Sequence, residues 1–145
     1  MKQKEQQEKL LASLKEWQQI ESRTIAHSAQ VMSKTNNPLV QIVMELIQRD
    51  SAFHRRIQQF VIDSFEKEPV SLATDDLVDI WDLIEEHINI EKEVAGLSKQ
   101  LTKSLAGTKN VVQHYLLEYL ADDEEKHDRL LENLKKLKEG IYRTA

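Results

Sequence analysis

The feature that most constrains this chain is its shortage of anything that stops a helix. Its 145 residues include only three glycines and two prolines. The stretches between them abound in Gln, Glu, Lys and Leu, all good helix formers. Breaking signals concentrate at a few places. Thr35-Asn36-Asn37-Pro38 offers an Asn N-cap ahead of a proline at the first helical position. Lys67-Glu68-Pro69-Val70-Ser71 is followed by Thr74-Asp75-Asp76, a cap with two acids where the helix dipole favours them. Gly107-Thr108-Lys109-Asn110 marks a third break, and Gly140 is read as the end of the last helix. Four segments remain, at roughly 5–35, 38–67, 75–106 and 110–139. Each spans about 45 Å at a rise of about 1.5 Å per residue. Four long helices with short connections predict an all-α, antiparallel up-down-up-down four-helix bundle occupying residues 1–145 as a single domain.

The apolar pattern agrees. In the fourth segment Leu116, Leu120, Asp123, His127, Leu130, Leu134, Leu137 and Ile141 follow one another in steps of four and three, the seam of a bundle helix. Val43, Ile47, Asp50, His54, Ile57 and Val61 repeat this in the second segment. Ile80, Ile84, His87, Glu91, Val94, Ser98, Leu101 and Leu105 do so in the third, and Leu10, Leu14, Trp17, Glu21, Thr24, Ser28 and Val31 in the first. Moving the second segment by 73 residues lays it on the fourth without a gap, pairing Asn37 with Asn110, Asp50 with Asp123 and His54 with His127. The first and third segments align in two ways. A shift of 64 pairs Trp17 with Trp81 and Glu21 with Glu85; a shift of 70 pairs Glu21 with Glu91. The second nearly preserves the distance from each turn and is preferred. The chain therefore reads as two pseudo-symmetric helical hairpins.

The residues that interrupt these seams carry the chemistry. Charged side chains are seldom buried unless they are paired or bound to metal. Counting from the turns places Glu21, Asp50, His54, Glu91, Asp123 and His127 at overlapping heights, with His87 one turn away. A mixed carboxylate–imidazole set suits iron, manganese or zinc. Four carboxylates would balance two divalent ions; without metal they would repel one another and tend to protonate. The competing reading makes Asp50–His54 and Asp123–His127 buried hydrogen-bonded couples that set register in a metal-free interaction bundle. His27 lies at the margin of its row and His114 off it. Trp17, Trp81, Tyr115 and Tyr119 read first as core aromatics.

With those residues in place, the chain resembles the ferritin-like di-metal carboxylate family, nearer to rubrerythrin-type small bundles than to cage ferritins. That family puts a lone carboxylate on the first and third helices and a Glu-x-x-His pair on the second and fourth. Glu124-x-x-His127 fits the pair, and Glu21 and Glu91 fit the lone acids. The second helix departs from the pattern: Ser51 stands where Glu is wanted, so Asp50-x-x-x-His54 must substitute. In the fourth helix the motif favours Glu124, whereas the repeat and the seam favour Asp123. The resemblance implies two bound ions, iron first and manganese or zinc as alternatives. It implies Fe(II) oxidation by oxygen or peroxide, of ferroxidase or peroxidase type, with an external electron donor because no Cys-rich module is present. His87-x-x-x-Glu91 also resembles an element of hemerythrin-like bundles, but the further His-x-x-x-His pair of that family is missing.

Composition supplies the exclusions. Hydrophobic residues make up 40% and charged residues 31%, enough apolar content for a core. A net charge of −5 argues against nucleic-acid binding. The absence of cysteine excludes thiol catalysis and Cys-ligated metal. A polar N-terminal stretch and the lack of an uncharged apolar span predict a cytoplasmic protein with no membrane partner. Val40, Phe60, Phe65, Leu83 and Leu117 lie off the main seams and predict a homodimer.

Overall fold

The computed structural model describes residues 2–70, 72 and 74–144, with 74 and 141–144 described by backbone alone. The Thr74 side-chain cap and Ile141 of the apolar row therefore lie outside the described side chains. Every regular element is a helix: α1 (Lys2–Ser33), α2 (Pro38–Glu66), α3 (Thr74–Val78), α4 (Trp81–Ser104) and α5 (Val111–Thr144). The chain divides into two compact units, 1–70 and 71–145. Among the described residues no helix is long and apolar enough to cross a membrane.

In the first unit α1 and α2 form a hairpin. Its turn is built as the sequence requires. Asn37 accepts from the backbone N–H of Leu39 at 2.9 Å and Val40 at 3.2 Å, which satisfies two of the unpaired donors at the start of α2. Pro38 occupies the first turn of α2, where its missing donor costs nothing. The helices run in opposite directions, because partners on α2 rise in number as those on α1 fall. Gln41 donates to the Met32 carbonyl, Gln48 to that of Ile25, Gln18 to that of Arg55, and Lys15 pairs with Glu66. The contact between α1 and α2 is thus largely polar. Its most buried positions are Leu14, Glu21 and Ser28 on α1, spaced by sevens, and Ser51, Gln58 and Ile62 on α2.

The apolar row expected along α2 is turned partly away from α1: Ile47 and Ile57 are exposed, as are Phe53 and Phe60. A bundle helix carries two interfaces, and the polar one closes this hairpin. The off-seam residues divide, with Phe60, Phe65 and Leu83 exposed and Val40 and Leu117 half-buried.

The second unit contains α3, α4 and α5. A continuous third helix from residue 75 is not what forms: the chain turns at Asp79-Ile80, where the Ile80 N–H reaches the Leu77 carbonyl at 3.3 Å. No glycine or proline marks this break. Leu77 and Trp81, on either side of the turn, are both buried. Trp81 also carries the Lys138 ammonium 3.8 Å from its ring centroid. Gly107, at φ +74°, takes the left-handed conformation that ends the α4 side of the turn. Helix α5 continues through Gly140 to Thr144. A lone glycine weakens a helix interior by only about 1 kcal/mol and need not stop it. Opposed contacts again fix the hairpin, Thr102 to the Leu117 carbonyl, Lys99 to Glu125 and Lys92 to Glu132.

Candidate metal centre

The second hairpin brings two carboxylates and an imidazole together. One ligand atom from each of Glu91, Glu124 and His127 lies within 4.8 Å of the others. Helix α4 supplies Glu91 and α5 the other two, which are three apart and so share a helix face. His127 Nδ1 is 3.5 Å from Glu91 Oε2 and 3.4 Å from Glu124 Oε2. Its other nitrogen, Nε2, is 3.5 Å from Asp123 Oδ2, while Asp123 Oδ1 pairs with Lys126 at 2.7 Å. Of the two acids left open by the sequence, Glu124 therefore faces the group. Asp123 sits behind the ring, where a carboxylate can hold a metal-binding imidazole in place.

Glu91 is half-buried, and its Oε2 is sealed from solvent without a hydrogen-bond donor. Its Oε1 faces His87 Nε2 at 3.1 Å. His87 thus supports Glu91 from four residues upstream and stands outside the three-residue group. Burial raises the Glu124 carboxyl above its ordinary value, and the hydrogen bond and negative charge of Glu91 raise it further, against a smaller opposing pull from His127. An orphaned buried carboxylate oxygen beside a second acid and an imidazole is a donor set that a divalent cation satisfies and a proton satisfies only in part.

The first hairpin carries a related but smaller arrangement. Glu21 is buried, at 7% exposure. Its Oε1 lies 3.3 Å from His54 Nδ1 and accepts the Trp17 indole N–H at 3.0 Å. Trp17 thus occupies the place that His87 takes beside Glu91, four residues upstream of the acid. These contacts follow the 70-residue shift. The look-alike pair at the 64-residue shift, Trp81 to Glu85 at 3.0 Å, ends on an exposed acid with which no histidine pairs among the described residues.

Asp50 is not brought to this group. It is exposed on α2 and makes no hydrogen bond or ion pair with Glu21 or His54. The seam phase predicts that it shares their face, but burial on α2 is one position over, at Ser51 and Gln58. Of the eight sequence candidates, then, Glu91, Glu124 and His127 converge, Glu21 and His54 pair, His87 and Asp123 support, and Asp50 stands outside. Sequence reasoning reads Trp17 first as core, with hydrogen bonding to a carboxylate as the alternative, and overlooks Gln58, whose buried carboxamide has no partner. The spacing of seven from Ser51 to Gln58 is the available signal. An apolar groove of about 410 Å³, lined by Leu14, Trp17, His54, Ile57, Gln58 and Val61, opens beside the Glu21–His54 pair.

Comparison of the chain with protein-family models, with curated proteins and with solved structures gave no match.

Proposed function

We propose that this protein is a ferritin-like, antiparallel four-helix bundle that binds two divalent metal ions through carboxylates and histidines. The observation that carries this reading is the Glu91–Glu124–His127 group with its donorless Glu91 oxygen. The repetition of acid, upstream N–H donor and cross-helix imidazole in the first hairpin supports it. The exposed apolar residues beside each polar pair, Trp17 and Ile57 in one hairpin and Val94 and Leu130 in the other, support burial against a further helical layer.

Glu91, Glu124 and His127 would hold one ion, and Glu21 and His54 would contribute to the other. Iron suits the mixed oxygen and nitrogen donors, with manganese and zinc the alternatives. Bound iron supplies oxidation of Fe(II) by oxygen or peroxide, with electrons returned by an external donor. The chain's own contribution is to hold the acids in place, to orient them through the Trp17 and His87 ring nitrogens, and to limit water around them.

Anaerobic Fe(II) titration followed by oxygen tests the reading. Saturable binding near two ions per chain is expected, with oxidation slowed by His127→Ala. No saturable binding refutes it. A metal-free interaction module is the second reading, favoured by the same apolar faces. It requires a melting temperature indifferent to Fe(II), Mn(II) and Zn(II), whereas ions that bind only the folded state raise it.

A further inference from the structure

Building on the metal reading above, we infer that the two hairpins are unequal as metal sites. The second hairpin holds one divalent cation tightly by itself through Glu91, Glu124 and His127, and the first, with Ser51 in the place of Glu124, offers only a weak second position.

The comparison is close because the rest of the wiring is shared. In each hairpin a buried or half-buried glutamate faces the Nδ1 of a histidine on the opposite helix, at 3.3 Å for Glu21–His54 and 3.5 Å for Glu91–His127. In each a ring nitrogen four residues upstream contacts the acid's Oε1, from Trp17 in one and His87 in the other. The halves part where a second acid would stand. The 73-residue repeat sets Ser51 against Glu124. Glu124 brings its carboxylate to His127 at 3.4 Å, whereas Ser51 is 5% exposed and ends in a neutral hydroxyl.

Asp50 does not replace the missing charge. Its repeat mate Asp123 sits on the far nitrogen of His127, and Asp50 itself is exposed. The second hairpin thus offers two anionic oxygen ligands and an imidazole; the first offers one and an imidazole. Ligand charge count is a principal determinant of affinity for hard divalent cations. Ser51 also explains the asymmetry physically. It lies in the row with Gln58 that packs against α1, where a small side chain lets the helices approach and a glutamate would have to be accommodated.

The test is Mn(II) titration of the full-length protein, read as loss of the free-ion EPR signal. One ion should bind per chain in a first step, with a second at least tenfold weaker or absent. Glu124→Ser, which makes the second hairpin like the first, should weaken the first step at least tenfold, and Ser51→Ala should leave it unchanged. Ser51→Glu, in protein whose circular dichroism shows native helix content, should bring the second step toward the first. Two ions bound with equal affinity by the wild type, or a first step untouched by Glu124→Ser, overturns the inequality and leaves the metal reading standing. No Mn(II) binding at all overturns both.

Discussion

Replacing Glu124 by glutamine should stabilise the metal-free protein and abolish its stabilisation by metal. These opposite effects separate a cation site from a structural polar cluster. At pH 8 the interaction that the substitution removes is the one between Glu91 and Glu124. Their facing atoms lie within 4.8 Å. At that separation two like charges repel by about 0.9 kcal/mol with the dielectric of water and by about 3.5 kcal/mol at an effective value of about 20. Their side chains are 13% and 22% exposed, between those limits, so relief of about 1–3 kcal/mol is expected. The carboxamide that Glu124→Gln introduces can also donate to the orphaned Glu91 Oε2.

In wild type an ion present at a hundred times its dissociation constant adds about 2.7 kcal/mol. In the variant that increment should vanish. Urea unfolding of both proteins, with chelator and with Mn(II), measures all four states. The wild type should be the less stable without metal and the more stable with it. A variant that loses more than about 1 kcal/mol without metal, the usual net worth of one hydrogen bond, would show that Glu124 is a structural anchor. Equal stabilisation of the two proteins by Mn(II) would be as damaging.

Other outcomes follow from the same geometry. Because burial and Glu91 hold the Glu124 carboxyl above 4.5, the native state keeps a proton that the unfolded chain releases first. The metal-free protein should therefore lose stability as pH climbs from about 4.5 through the raised value, and the gap in urea midpoint between Glu124→Gln and wild type should widen over that interval. His87→Phe removes the group that contacts Glu91 Oε1 and should weaken metal binding about 10–100-fold with helix content unchanged, measurable by competition with a chromophoric chelator. Ile62, at 1% exposure, is the most buried large side chain, so Ile62→Ala should lower unfolding free energy by about 2–5 kcal/mol.

The helices were legible because their determinants are local. Asn37 caps α2, Pro38 opens it, and Gly107 takes the one positive φ among the described residues. The break at Asp79-Ile80 was not legible, since no glycine or proline marks it. The level of the polar residues was legible from counting along helices; their directions were not. Asp50 and Ser51 differ by one position, about 100° around a helix, and the four-three seam does not say which of two adjacent faces a hairpin closes on. The polar contact between α1 and α2 decided it, through Gln18, Gln41 and Gln48 reaching carbonyls on the opposing helix or beside the turn. Glu124 over Asp123 was decided in the same way, by which side of the His127 ring each acid occupies.

The distribution of burial at the two pairs runs against a purely structural role. Were these couples present to fix register, the acid and the imidazole would be expected to share the interior, each satisfying the other. Instead the acids are sequestered and the rings are not: Glu21 is buried under a His54 side chain that is 51% exposed. Glu91 retains an oxygen with no hydrogen-bond donor although the His127 ring presents its Nδ1 at 3.5 Å. A buried carboxylate left short of donors raises the energy of the metal-free protein, and a divalent cation lowers it more effectively than a neutral imidazole can. Half-exposed rings, meanwhile, leave an approach from solvent. On the proposed metal reading, Glu91, held short of a donor beside an accessible imidazole, is the acid that a positive ion would stabilise most.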